Sequence, residues 1–305
     1  MDKQKISKEI ISKIEKELKT KIVDIQIPPQ GMDSEVFFIT DSDENNYAIK
    51  CGKGVISDIK ALELLEKHQI DIPVPKLYGN FTYKNKNFVI FQKVNFPLLE
   101  TVNKDEIYKY IPSMVKNLRK IHKIKSDKAG YLVEKNISND WKEIMLSKFL
   151  NKDKDLNWKV IVNRPVLDKK IIIKSIDNIL KKIKKTDFIK NSYSFLHIDF
   201  NQRNLFIDPN SDEIASIIDW GESMFGDPIY DFARVRMYIW HFDLGNEILK
   251  NYYKLMSYSP NEKKLEELYW LIRIIEYLAY YSKEKNEFNI KRIKLHQDFL
   301  RNYKW

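Results

Sequence analysis

The sequence predicts an α+β protein in which a small antiparallel, β-rich N-terminal half precedes a larger, mainly helical half. Three observations carry this. The first 94 residues hold five short runs rich in β-branched and aromatic residues: KIVDIQI, EVFFIT, NYAIK, PKLYGNFTY and NFVIFQKV. Turn-like PPQGMDS, DSDENN and KNKN separate them. From about Asp105 the apolar residues recur at helical spacing instead. Finally, 43% hydrophobic content with 13% aromatics over 305 residues is ample for a real core.

Taken in order, Ile6, Ile10, Ile14 and Leu18 lie at helical spacing, so a short amphipathic helix precedes the first strand. Five antiparallel strands follow, interrupted after the third by a helix at about residues 56 to 68. The helical half begins with EIYKYIPSMVKNLRKIHKI, NDWKEIMLSKFL and KKIIIKSIDNILKKIKK, and resumes from Asp227 to the end. Only YSFLHI, NLFID and EIASIIDW interrupt it with strand-like runs. The change of character places a lobe boundary near residue 94, giving an N-terminal lobe 1–94, a C-terminal lobe 95–305 and a cleft between them.

Composition excludes several classes. No stretch approaches 18 uncharged apolar residues, and MDKQKISKEIISKIEKELK is charged where a signal peptide needs an apolar block. A cytoplasmic, soluble monomer with no membrane partner is expected. The one cysteine, Cys51, excludes a disulfide framework and a Cys-rich zinc module, and reads as a small apolar filler. The net charge of +10 invites a nucleic-acid reading, yet only eight of the 53 basic residues are Arg. Abundant Lys, Ile and Asn all have AT-rich codons, so genome composition accounts for the excess. The local balance is different: residues 191–249 contain no Lys, and His197 to Glu247 holds ten acidic residues against three Arg. No nucleic-acid partner is expected.

The strongest chemical signal is His197-Ile-Asp199-Phe-Asn-Gln-Arg-Asn204, followed by Ile218-Asp219-Trp220-Gly221. Phosphoryl transfer needs a carboxylate to orient the attacking hydroxyl and take its proton, and an amide plus a second carboxylate to hold the metal on the phosphates. Asp199 and Asn204 flank a short loop entering NLFID, and a hairpin through PNSDE brings Asp219 back beside Asn204. In NYAIK the alternation points Ala48 and Lys50 to one face, so Lys50 can reach the phosphates. Such a lysine needs a carboxylate on the following helix, and Asp58 and Glu63 are the candidates. Ala61, Leu62, Leu64 and Leu65 define the apolar arc; Asp58 falls inside it and is favoured, whereas Glu63 projects nearly opposite.

With these residues the chain resembles the aminoglycoside phosphotransferase family, which has a protein-kinase-like bilobal fold, over nearly its whole length. The shared features are Lys50, Pro73 to Pro75, LRKIH ending at His122, HxDxxxxN, IDWG, and GDPxYDFA from Gly226 to Ala233. IIDWGESMFGDPIYDFA is similar to the hygromycin-type members. The resemblance implies that Asp199 is the catalytic base, that Asn204 and Asp219 bind Mg2+ or Mn2+, and that Lys50 touches the phosphates of ATP or GTP. It makes His197 and Asp231 braces of the catalytic loop and maps the base-pairing hinge to Gln92, Lys93 and Val94. Ser34 is its candidate for the phosphate turn, since QGMDSEV has only Gly31, and bulky Phe91 bears on ATP against GTP. Two departures stand out: Ile198 where the family usually has Gly, and Asn95-Phe96 in place of the usual hinge Gly.

The implied acceptor is a polycationic aminoglycoside or aminocyclitol antibiotic, phosphorylated on a hydroxyl to confer resistance. A site for it needs carboxylates and flat surfaces. Glu222, Asp243, Glu247 and Glu276 are the candidate acids, and Trp240 and Trp270 the candidate surfaces, with ion pairing to Arg273 or Arg234 an equal reading for Glu276 and core packing the more common role of such aromatics. The competing classes are a metabolic kinase of the same fold acting on a choline-like amine, homoserine, a sugar or a macrolide, and a non-enzymatic kinase-like or nucleic-acid-binding protein.

Overall fold

Alternation in the first hundred residues produces strands, and apolar 3.6-residue periodicity afterwards produces helices. The structure is a computed structural model and describes residues 6–28, 34–52, 54–133, 138, 140–150, 156–241 and 243–305. Its N-terminal elements are helix α1 (Lys8–Leu18), strands β1 (Ile22–Gln26), β2 (Ser34–Asp41) and β3 (Asn46–Gly52), helix α2 (Val55–Lys67), and strands β4 (Leu77–Tyr83) and β5 (Lys86–Gln92). Next come α3 (Ile111–Ile121), β6 (Lys125–Ser126), β7 (Gly130–Tyr131), α4 (Trp141–Ser147), α5 (Trp158–Ile161), α6 (Lys169–Lys185), and strands β8 (Tyr193–Leu196), β9 (Leu205–Asp208), β10 (Glu213–Ile217) and β11 (Met224–Gly226). Helices α7 (Pro228–His241), α8 (Asn246–Met256), α9 (Pro260–Tyr281) and α10 (Glu287–Asn302) complete the chain.

Contacts group these elements into two compact units. The first comprises Met1–Ile124, Tyr131–Val133 and His197–Met224; the second comprises Lys125–Gly130, Glu134–Leu196 and Phe225–Trp305. Composition changes near residue 94, whereas contacts keep the stretch through Ile124 and the hairpin after His197 with the N-terminal sheet.

In the first unit the sheet runs β1-β2-β3-β5-β4, with antiparallel pairing of β1 to β2, β2 to β3, β3 to β5 and β5 to β4. Phe37, Ile39, Tyr47, Ile49, Cys51, Phe88 and Ile90 form one face and pack against Ile6, Ile10 and Ile14 around α1. Full burial of each large aliphatic or aromatic side chain stabilises by about 1.5–3 kcal/mol, so this face fixes the register. Helix α1 is stopped by Lys19, whose left-handed backbone lets its N–H bond Glu15 C=O. Lys50, opposite Val36 and Val89 in the ladder, lies on the other face together with Ala48.

The helical run from Glu106 begins as a 3-10 stretch, Lys104–Tyr110, and becomes α3 only at Ile111. Pro112 stands in the first turn, where its missing N–H matters least. Strands β9 and β10 form the hairpin expected from NLFID and EIASI. Ser113 of α3 ties it down, accepting from Ile214 N–H at 2.9 Å and donating to Glu213 at 2.6 Å.

In the second unit α7 packs on α9. Asp227 starts α7 by accepting from Ile229 N–H (2.9 Å), and its other oxygen takes Tyr269 O–H (2.9 Å), which in turn accepts Trp141 Nε1–H (2.8 Å). A Cβ on Gly226 would fall 2.3 Å from the Trp141 ring, so only glycine fits there. No helix among the described residues is long and apolar enough to cross a membrane.

Candidate active site

Two loops, a strand and a helix of the first unit bring the site together. Strand alternation carries Lys50 to the face of α2, where its Nζ lies 2.7 Å from Asp58 Oδ2 and 2.7 Å from Asp219 Oδ1. The helix-face expectation of Asp58 over Glu63 matches this geometry, since Asp58 is 2% exposed on α2 and Glu63 is exposed. The second oxygen of Asp58 accepts the buried Trp220 N–H at 2.7 Å, tying α2 to the IDWG loop. Burial pushes the Asp58 carboxyl up to about 6 against the pull of Lys50. Burial also opposes the charge on Lys50, yet Asp58 and Asp219 outweigh it, and the ammonium is stabilised.

The close approach of α2 to that loop depends on two glycines. Gly54, at φ +82, precedes α2, and a Cβ on it would fall 2.9 Å from Gly221 Cα. Neither Gly54 nor the Trp220 amide was legible beforehand, because a main-chain contact leaves no residue pattern.

The catalytic-loop residues are fixed by their own main chain. Ile218 N–H donates to Asn204 C=O at 2.9 Å, which sets Asp219 beside Asn204 as the hairpin spacing requires. The Asn204 amide donates to the Asp199 carbonyl and to Asp199 Oδ2, both at 2.9 Å. Asn201 adds a second donor to the same carbonyl at 3.0 Å. His197 is fully buried, with Nε2 3.0 Å from Ile218 C=O; a carbonyl only accepts, so Nε2 carries the hydrogen. Downstream of the expected hinge, Ile207 N–H bonds Pro97 C=O (2.9 Å), Glu100 N–H bonds Gln202 C=O (3.1 Å), and Arg203 pairs with Glu100 (3.0 Å). Within one compact unit, Lys50 thus joins Asp58 to Asp219, Asn204 joins Asp199, and the Ile218 N–H on Asn204 C=O ties the two groups together through the main chain next to Asp219.

The other expected nucleotide contacts are dispersed along the sheet. Ser34 opens β2 opposite Gly52, while Gly31 lies outside the described residues. Phe91 pairs with Ala48 and Leu77, and Gln92 closes β5 with its N–H on Lys76 C=O at 2.8 Å. Lys93 N–H bonds Asn46 C=O at 3.1 Å, and Val94 is half-buried.

Of the expected acceptor residues, Glu222, Asp243 and Glu247 are exposed, and Glu247 pairs with Lys250 at 3.3 Å. Glu276 and Trp270 are in contact with core groups of the second unit, the ion-pairing reading for Glu276 and the core-packing reading for Trp270. Glu276 pairs with Lys148 (2.8 Å) and Arg273 (3.1 Å), and although burial opposes its charge these two cations hold its pKa low. Trp270 is 6% exposed under the Arg236 guanidinium, 3.9 Å from its ring, and half-buried Trp240 stacks edge-on to it. Asp231 is fully buried in the first turn of α7.

No group of three or more His, Cys, Asp or Glu among the described residues could hold a metal by itself. Asn204 and Asp219 nevertheless fit Mg2+, which takes hard oxygen ligands and typically needs only one or two protein donors alongside substrate phosphates. Asp219 is 47% exposed at its side chain, and the Asn204 amide nitrogen is engaged by Asp199, leaving the amide oxygen as its acceptor.

The profile of the phosphotransferase enzyme family matches residues 24–268. The chain belongs to that family. No curated protein sequence matches it. Among solved structures, a thermostable mutant of aminoglycoside phosphotransferase APH(4)-Ia in ternary complex with ADP and hygromycin B is 13% identical, with a TM-score of 0.74 and coverage of 95% of this chain and 97% of that one. A putative fructosamine-3-kinase from Haemophilus somnus 129PT is 14% identical, with a TM-score of 0.66 and coverage of 96% and 95%. ADP-bound aminoglycoside phosphotransferase APH(2'')-Ib is 17% identical, with a TM-score of 0.60 and coverage of 95% and 97%. These likenesses show the fold, an antiparallel N-terminal sheet with a helical C-terminal part as in the aminoglycoside kinases.

Proposed function

We propose that the protein is a small-molecule kinase that transfers the γ-phosphate of ATP or GTP to a hydroxyl of a hygromycin-like aminoglycoside, conferring resistance to it. The observation that carries the kinase reading is Lys50 bridging Asp58 and Asp219 while Asn204 holds Asp199, the two groups joined by the Ile218 N–H on Asn204 C=O. In this reading the main chain of Gln92 and Val94 pairs with the nucleotide base, with Ser34 and Phe91 beside it. Lys50, held by Asp58, shifts from Asp219 to the phosphate oxygens when nucleotide binds. Asn204 and Asp219 would hold Mg2+ or Mn2+, which would neutralise charge on the phosphates. The acceptor hydroxyl attacks the γ-phosphorus, the bond to the bridging oxygen breaks, and the hydroxyl proton passes to Asp199, whose Oδ2 is fixed by Asn204. His197 and Asp231 act as buried braces.

The acceptor assignment draws support from IIDWGESMFGDPIYDFA and from exposed Glu222, Asp243 and Glu247. A metabolic small-molecule kinase is the second reading, favoured by the withdrawal of Glu276 and Trp270 into the core. Nucleotide consumption measured with aminoglycosides, hygromycin B, macrolides, sugars and simple amines, with ATP and GTP in parallel, separates the two. Asp199→Asn is expected to lower kcat by roughly 100-fold or more while nucleotide binding is kept; near wild-type turnover would remove Asp199 as the base.

A further inference from the structure

The residue just before Asp199 sits in a conformation its side chain disfavours. Asp199 N–H donates to His197 C=O at 2.9 Å, closing a three-residue turn across Ile198, whose φ is +71. Among the described non-glycine residues at positive φ, Ile198 is the only β-branched one. Two heavy atoms on Cβ make this region a true outlier, and i to i+2 turns of this sign are rare and strained. Such a conformation persists only where the surroundings over-determine it.

Both flanks meet that condition. His197 is fully buried, fixed on Ile218 C=O, with its ring 4.4 Å from that of Trp220. Phe200 is fully buried, and Asp199 C=O is gripped by the Asn201 and Asn204 amides. Ile198 is the joint between these two fixed pieces, and it is 7% exposed. A glycine would reach the same φ without steric opposition, but it would reach many others equally well.

We propose that Ile198 is a positioning residue: its buried side chain pins the strained turn and so confines Asp199 to one orientation against Asn204. The inference rests on the reading of Asp199 as the base. In this arrangement the side chain acts on the orientation of a neighbour rather than on nucleotide binding, so its loss shows in kcat and not in nucleotide affinity.

The test compares Ile198→Gly, Ile198→Val and Asp199→Asn in the full chain. Magnesium-dependent binding of AMP-PNP, turnover of ATP with hygromycin B and without acceptor, and amide hydrogen exchange of the segment from His197 to Asn204 are measured. Ile198→Gly is expected to bind AMP-PNP within about two-fold of wild type, to lose roughly 10-fold in kcat, as slight misplacement of a reacting group does, and to exchange faster across the segment. Ile198→Val, which keeps the β-branch, restores most of the rate and the protection. Wild-type kcat in Ile198→Gly, unchanged exchange, or parallel loss of AMP-PNP binding and rate would overturn the proposal. If Ile198→Gly does not fold, Ile198→Ala is measured in its place and read by the same criteria. Full turnover in Asp199→Asn would instead sink the base assignment, while the exchange comparison still decides whether Ile198 pins the turn.

Discussion

Removing the Asp58 carboxylate is the most informative single perturbation, because its two oxygens do different things. One accepts from Lys50 Nζ and the other from Trp220 N–H, each at 2.7 Å, and the residue is 2% exposed. Hydrogen bonds to a charged group contribute about 1.5–3 kcal/mol each, so the two together set an upper figure of about 6 kcal/mol. Two terms reduce it. The carboxylate is itself strained by burial, which pushes its pKa up to about 6, and that opposition disappears with it. Lys50 also keeps Asp219 and is not left as an unpaired buried cation. Trp220 N–H, by contrast, loses the Asp58 oxygen it donates to inside the structure. The net expectation for Asp58→Ala is a destabilisation of about 3 kcal/mol, the low end of what breaking a buried ion pair gives. At about 2–4 °C per kcal/mol this lowers Tm by roughly 6–12 °C. Urea unfolding followed by tryptophan fluorescence measures it, with Lys50→Met and the double variant completing a cycle whose coupling is expected at about 1–3 kcal/mol. Glu63→Ala, an exposed position on the same helix, is the control and stays within about 0.5 kcal/mol. A loss below about 1 kcal/mol in Asp58→Ala, or a cycle without coupling, would refute the reasoning.

Asp219→Ala removes a hard-oxygen donor and is expected to abolish metal-dependent nucleotide binding, with Zn2+ unable to replace Mg2+ or Mn2+; equilibrium dialysis with and without excess EDTA checks it, and undiminished activity in EDTA would count against the metal role. His296, pushed down to about 4 chiefly by burial, and His241, pushed down to about 2 by burial and by His296, Arg292 and Arg234, share a 2.9 Å contact between their Nε2 atoms. The unfolded chain binds more protons than the folded one below about pH 6.5, so stability falls as pH drops from there toward about 4. Melting curves across that window should be steeper for wild type than for His296→Gln; parallel curves would show that the pair does not titrate as described. If the exposed acids serve a cationic acceptor, charge reversal at Glu222 or Asp243 and rising ionic strength should each raise the acceptor KM more than they lower kcat, and a KM indifferent to salt would speak for a neutral acceptor.

Local patterns made the site legible. A lysine on a strand alternates by rule, an acid inside an apolar helical arc must find a partner, and two short strands joined by PNSDE can only bring Asp219 back to Asn204. Each of these needs knowledge of at most one element and its neighbour. What stayed hidden involves main chain or distant sequence. The Trp220 amide and the Gly54–Gly221 approach have no side-chain signature. Ile198 stands out in the sequence only as a departure from the family's usual glycine, and its strain shows only once its φ is known. Glu276 stood open between an acceptor site and a core ion pair, and Lys148, which decides it together with Arg273, is one lysine in a chain full of them.

The acidic character of the Lys-free stretch looks different once most of its carboxylates are placed. Asp208 accepts from Asn210 N–H and Ser211 O–H in the hairpin turn, Glu213 holds Ser113 and Lys116, and Asp227 starts α7 and receives Tyr269. Asp231 is buried, Asp219 meets Lys50, Asp199 meets Asn204, and Glu247 meets Lys250. Most of the negative charge that the sequence concentrates there is thus committed to building the fold and the phosphoryl-transfer apparatus. Glu222 and Asp243 are exposed, and the influence of exposed charges is screened within about 10 Å at 0.1 M salt. Within the first unit, a further ammonium beside Asp219 would compete with Lys50 for the carboxylate oxygen that lies 2.7 Å from its Nζ.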